Sequence, residues 1–237
     1  MLNLDPEPQL LASILAKKVA VGSKYVLIDI PYGKGAKVSK PAALALKKKF
    51  LTLGESLDLK IRVVLTDGSQ PIGNGIGPIL EVKDVLRVLK RENSPLDLEK
   101  KSVFLAGNIL ELTGNAPKGK GIQKARKILD SGQAFNKFKE IIKAQEGSID
   151  NLPEAKYNTN LKISRSGRIV EIKNKETNRL ARILGCPNEK TAGVYLYKHL
   201  REKVKKGENI LTLYSESRDR LKEAISYAKS NNLIVVR

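Results

Sequence analysis

Apolar residues recur at three- and four-residue spacing along much of the chain, and that spacing sets the predicted elements. Leu10, Leu11, Ile14, Leu15 and Val19 form one face of a helix over residues 9–20. Ser13 and Lys17, four apart, share a different face. Asp5 before Pro6 is a helix-start signal, although Pro8 allows a start nearer Glu7. Gly22 ends the helix. Tyr25 to Ile30 is apolar on both faces, as a buried parallel strand would be, and Pro31 is expected to stop it. Gly33 and Gly35 then free the backbone at the strand's carboxyl end, where ligands of open α/β sheets bind. Lys34 and Lys37 put positive charge there. Asp5, Ser13, Lys17 and Lys37 are therefore candidates to converge on an anionic ligand. Each also has a plain reading: Asp5 as an N-cap, Ser13 and Lys17 as solvated helix residues, and Gly-Lys-Gly as a turn.

The same spacing predicts a helix over 41–57, and a second buried strand follows over 59–66. Residues 66–78, TDGSQPIGNGIGP, form a long glycine-rich loop that lacks the GK[ST] of a Walker motif. Helices are expected over 81–91, 96–112, 121–131 and 133–145. PKGKG at 117–121 is a basic turn, read as a linker before a phosphate site. Residues 147–160 are polar and turn-rich and make the best domain boundary. Beyond it, strands at 161–163, 168–172, 194–197, 210–214 and 233–236 interleave with helices at 177–184 and 218–230, as in a compact α+β module.

Composition narrows the functional classes. A chain of 237 residues with 41% hydrophobic content can bury a sizeable core. No apolar run reaches the ~18 residues needed to span a bilayer, and no signal peptide is visible, so a cytoplasmic protein without membrane partners is expected. The single cysteine, Cys186, rules out an internal disulfide and a multi-cysteine zinc site, and the single His199 brings no metal constellation. The net charge of +19 suits anionic partners. The lysines are nevertheless spread along the chain, and no zinc-finger, RRM or KH signature accompanies them. A basic nucleic-acid-binding or assembly module remains an alternative, but no specific nucleic acid is expected.

An ordered series of strings carries a resemblance. DPEPQLLASILAKK (5–18), VLIDIPYGKGAKV (26–38), TDGSQPIGNGIGPILEVKD (66–84), LAGNILEL (105–112), GQAFNKFKEIIKAQEG (132–147), SGRIVEI (166–172) and AGVYLYKHLREKVKKGENILTL (192–213) together resemble the nucleoside phosphorylase family of the thymidine and pyrimidine-nucleoside phosphorylases. Within it the first two strings are closer to the archaeal branch, the AMP phosphorylases. Family members are roughly twice this length, so the chain looks like their carboxyl-terminal half, lacking the phosphate-binding loops. The resemblance implies an α/β fold: part of the large α/β domain of a nucleoside phosphorylase plus a C-terminal α+β module. It implies a remnant helix of the small helical domain over 1–22, an α/β core over 23–150 and a C-terminal domain over 158–237. The helix over 9–20 is expected to have lost its native partners.

The implied activity is that of a pentosyltransferase: AMP and phosphate give adenine and ribose 1,5-bisphosphate, with CMP or UMP as further substrates. Pyrimidine-nucleoside or thymidine phosphorolysis is the alternative. Phosphate is a co-substrate, and no cofactor or metal is expected. A homo-oligomer is expected. Asp5 matches the family's proton donor, with Glu7 as the alternative acid. Ser13 and Lys37 match AMP-binding positions, and Lys17 matches a base-contacting lysine. Ile72, Gly75 and Asp84 match a monovalent-cation site of bacterial relatives, in which the acidic position is usually Glu. Leu213-Tyr214-Ser215 departs from the family's Ile-His-Ala.

Overall fold

The computed structural model describes residues 7–237. Their contacts gather into two compact units. The first takes the residues up to Asp67 together with Lys101–Lys127, and the second takes Gly68–Lys100 and Ile128–Arg237.

The first unit opens with α1 (Glu7–Ala20), β1 (Tyr25–Tyr32), α2 (Lys40–Ser56) and β2 (Lys60–Asp67). β1 and β2 run parallel, from Tyr25 opposite Lys60 to Tyr32 opposite Asp67. The strand thus passes through Pro31, where the sequence predicts a stop. Among the described residues, β1 has a strand neighbour on one side only. A proline there breaks no ladder bond when its nitrogen faces the open edge. Leu11 and Leu15 of α1, at 5% and 2% exposure, join Val26, Ile28, Phe50 and Val63 in one core. Part of the apolar face of α1 therefore has partners within this unit. Burial of each leucine contributes about 1.5–3 kcal/mol. Only part of the apolar face is used, because Leu10 and Ile14 are half-buried and Val19 is exposed.

The second unit begins with β3 (Gly75–Ile76) and α3 (Pro78–Lys90). Helices α4 (Leu96–Leu112) and α5 (Gly121–Asp130) each contribute residues to both units. Then follow α6 (Gln133–Ala144), β4 (Tyr157–Lys162), β5 (Gly167–Ile172), α7 (Asn174–Leu184), β6 (Gly193–Leu196), β7 (Lys203–Val204), β8 (Asn209–Ser215), α8 (Arg218–Asn231) and β9 (Ile234–Val236). One antiparallel sheet has the order β3-β6-β8-β4 and another β7-β5-β9. Ile169, Leu180, Leu184, Val194 and Leu213 are fully buried between these strands and α7 and α8. β3 pairs with β6, which brings residues 68–100 into this unit, whereas a single boundary at 147–160 would leave them in the first. A parallel strand-helix unit followed by antiparallel sheets with helices is the α/β plus α+β class expected from the sequence.

Within the first unit, α4 and α5 meet backbone to backbone. A Cβ on Gly107 would lie 2.6 Å from the Ile122 amide nitrogen, and one on Gly121 would strike the Gly107 carbonyl oxygen. Glycine at both positions follows from that approach.

Candidate functional site

The carboxyl ends of β1 and β2 gather the polar groups of the first unit. Asp29 is the only charged residue in β1. Its Oδ1 accepts the Thr66 hydroxyl at 2.7 Å, and its Oδ2 lies 2.7 Å from the Lys101 ammonium. Both charged side chains are about four-fifths buried, so the pair is shielded more than a surface bridge. The loop after β1 closes on itself. The Gly33 amide donates to the Val38 carbonyl at 3.3 Å, and the Ala36 amide to the Gly33 carbonyl at 3.2 Å. Gly35, at φ 79°, takes the left-handed turn this requires. Ser39 then caps α2, accepting from the Ala42 amide. The loop presents Lys34 and Lys37 as exposed residues, and the Lys40 ammonium lies 6.0 Å from the centre of the Tyr32 ring.

Ser13 and Lys17 are exposed on α1, and Lys37 is exposed in the strand-end loop. All three belong to the first unit. Asp5 lies outside the described residues, and Glu7 opens α1. Thr66 and Lys101 complete the strand-end cluster and escape a reading of the sequence. The signal that points to them is Asp29 itself, a carboxylate inside an apolar strand that needs a distant partner.

The glycine-rich loop of the second unit is held by protein donors. Asp84, 1% exposed, accepts from the Asn74 amide at 2.6 Å and the Gly75 amide at 2.7 Å through Oδ2. Its Oδ1 accepts from Arg87 at 3.0 Å. The carboxylate expected at a cation site is thus engaged with the loop's own backbone and a guanidinium. Arg87 also donates to the Tyr195 hydroxyl at 3.0 Å, and so does the Asn74 side-chain amide at 3.1 Å. His199 Nε2 lies 2.9 Å from Asn74 Oδ1, which assigns the proton to Nε2 because an amide oxygen only accepts. Gly77, at φ 138°, has no room for a Cβ beside the Ala192 carbonyl. Among the described residues, no cluster of three His, Cys, Asp or Glu side chains could hold a metal.

The PKGKG turn has its anion built in. Glu111 Oε1 accepts from the Gly119 and Gly121 amides, both at 3.0 Å, and Oε2 lies 3.3 Å from Arg62. The Gly121 amide, with Arg62 and the Gly119 amide, holds the Glu111 carboxyl below the usual glutamate range. A carboxylate already occupies the amide groups that a phosphate would need. Ser215, where the family pattern has a small residue, is fully buried and donates to the Leu184 carbonyl at 2.7 Å. Its role is to tie β8 to the end of α7.

Comparison with known proteins agrees with the resemblance. Residues 168–235 match the pyrimidine nucleoside phosphorylase C-terminal domain. The chain is 43% identical over 233 residues to an AMP phosphorylase of Methanococcus aeolicus, covering 96% of this chain and 46% of the relative. Over nearly its whole length the chain is similar to the carboxyl-terminal half of nucleoside phosphorylases. A Pyrococcus abyssi AMP phosphorylase is equally similar, at 43% over 96% of this chain and 46% of its own length. A putative thymidine phosphorylase of Legionella pneumophila is 41% identical over 99% of this chain and 46% of its own. The chain therefore spans about half the length of the curated phosphorylases it matches, their carboxyl-terminal half. Among the described residues, no helix is long and apolar enough to cross a membrane.

Proposed function

We propose that the chain supplies the nucleotide-binding side of a phosphorolytic pentosyltransferase. AMP and phosphate would give adenine and ribose 1,5-bisphosphate, with CMP and UMP as further substrates, in a cytoplasmic homo-oligomer. A phosphate oxygen bonds to the anomeric carbon as the carbon–nitrogen bond breaks, and that bond's electron pair leaves with the base. Asp5 in its neutral form gives the departing purine a proton. Ser13 makes one hydrogen bond to the nucleotide, Lys37 supplies a point charge, and Lys17 approaches the base. The observation that carries this reading is the 43% identity to AMP phosphorylases across nearly the whole chain. The lysine-bearing loop at the carboxyl ends of two parallel strands, a usual ligand position, supports it.

Phosphorolysis of a nucleoside without a 5′-phosphate is the second reading, favoured by the Legionella pneumophila relative. The test incubates the purified chain with phosphate and either AMP or thymidine, and measures free base and nucleotide affinity. The expectation is weak AMP binding that falls with salt and with Lys37→Ala, no comparable thymidine binding, and no base release. Holding phosphate in line is worth about 7–11 kcal/mol, and the loops that would hold it belong to the relatives' other half. Tighter binding of thymidine than of AMP would favour the second reading. Phosphate-dependent adenine release abolished by Asp5→Asn would show a complete site in this chain.

A further inference from the structure

Strand β4 lies at the end of its four-stranded sheet and, among the described residues, pairs with β8 alone. In an antiparallel edge strand, every second residue turns its amide and carbonyl to the open side. Here α8 runs beside β4 and leaves a groove between the two. Two hollows of about 440 and 550 Å³ make up this groove and meet at Ile225, which lines both. The first takes in Tyr157 and Asn158 with the opening turns of α8, and the second takes in residues 159–164 with its last turns. Leu221, Ile225 and Ala228, spaced four and three residues apart, give α8 a half-buried apolar stripe along the floor. A helix of 14 residues is about 21 Å long, which gives room for about six residues of extended chain.

The rim sets the chemistry of the occupant. Lys156 and Lys162 on the strand side and Arg218, Lys222 and Lys229 on the helix side are exposed around the groove. No aspartate or glutamate lines either hollow. Of the five cations, only Lys222 has a carboxylate within ion-pair distance among the described residues, Asp219 at 3.6 Å. The Lys156 ammonium and the Arg218 guanidinium lie 5.6 and 5.0 Å from the centre of the Tyr157 ring, which holds both charges at one mouth. Two lysines on an edge strand deter self-pairing, and a second copy pairing β4 with β4 would bring Lys156 of each beside Lys162 of the other. Guarding the edge does not account for three further cations on a helix that faces it across an apolar floor. We propose that the β4–α8 groove binds an extended acidic segment of another polypeptide, which adds a fifth strand to the sheet at β4. Apolar side chains at alternate positions of that segment rest on Leu221, Ile225 and Ala228, and its carboxylates meet the cationic rim. The surface lies within the second unit, and its use is independent of the nucleotide chemistry proposed above.

The probe is an end-blocked peptide of about eight residues, alternating glutamate and valine, titrated into the purified chain. Affinity is read by calorimetry and the site by amide shifts in NMR. Binding is expected with a Kd at or below about 100 µM, with shifts along residues 157–163 and 221–232. A double variant, Lys162→Glu with Arg218→Glu, should weaken it at least about tenfold. Lys143→Glu, a charge reversal on α6, should leave it within about threefold. All three positions are exposed, and circular dichroism checks each fold. Strand addition also has a signature that charge alone lacks. Methylating every second backbone amide of the peptide should abolish binding in one register and spare it in the other, because only alternate amides face β4. No binding at about 1 mM peptide overturns the proposal. So does a complex that both methylated peptides form as tightly as the parent, or one that the double variant leaves unchanged. Tighter binding of an oligouridylate at the same residues would make the rim a nucleic-acid surface, and equally overturns it.

Discussion

Asp84→Ala probes the glycine-rich loop most directly. The carboxylate is 1% exposed and accepts the Asn74 and Gly75 amides at 2.6 and 2.7 Å. Alanine removes both acceptors, and an orphaned buried amide costs about 1–3 kcal/mol. Asn74 is half-buried and can recover water, so its share is at the low end, whereas Gly75 is buried. Arg87 keeps the Tyr195 hydroxyl and is 35% exposed, so its lost ion pair adds about 0–1 kcal/mol. The sum is about 3 kcal/mol. Asp84→Asn keeps one oxygen for the two amides but turns an NH2 toward Arg87, and should cost about half as much. A chain with two compact units need not unfold in one step, so amide hydrogen exchange at Asn74 and Gly75 is the better readout. A loss of about 3 kcal/mol speeds exchange there roughly a hundredfold, and the asparagine variant should fall between. Equal exchange in alanine and asparagine variants would give the ion pair, and not the amide clamp, the main role. Exchange within about threefold of the parent in both would refute the clamp altogether.

Two other expectations are simpler to state. Glu111 has a folded-state carboxyl held below its ordinary value of 4.5, chiefly by the Gly121 amide and then by Arg62 and Gly119. Its stabilisation is therefore fully present above that value and lost as pH falls through the lower folded-state value. Glu111→Gln should narrow its stability gap to the parent as the medium is acidified, and a gap constant from pH 7 to acid would sink the assignment. Gly121→Ala should destabilise by about 1–3 kcal/mol in urea unfolding, because its Cβ meets the Gly107 carbonyl of the α4 backbone, which cannot swing aside as the neighbouring Glu111 side chain can. An unchanged midpoint would mean that α4 and α5 are not in backbone contact.

The long periodic helices were legible in the sequence because burial of one face is written into residue spacing. α2, α4 and α8 depend on that pattern and fall within two residues of the expected ends. The pairs Gly75–Ile76 and Lys203–Val204 become strands only through their partners β6 and β5, and two residues carry no period. Tyr157–Asn160 reads as linker because its Tyr-Asn-Thr-Asn run is polar, yet it forms the edge of a sheet, where one face meets water. The strand-end site shows the same limit. Asp29 is visible as an anomaly in β1, whereas Thr66 and Lys101 reach it from another strand and from α4.

The two-stranded parallel pair also bears on how the chain behaves at high concentration. Among the described residues, β1 and β2 have each other as their only strand neighbours, so apart from the single Tyr32–Val38 bridge each leaves one side of its backbone without a ladder. Tyr25 to Ile30 is the kind of apolar, β-prone run that stacks with copies of itself when its edge is bare. Two residues of β1 oppose such stacking. Pro31 offers no amide to an incoming strand, and Asp29 brings a charge that stacking would bury without its lysine. The residue that holds Lys101 at the strand end is thus also a gatekeeper against fibrils, and an Asp29→Val chain would be freed from both duties at once.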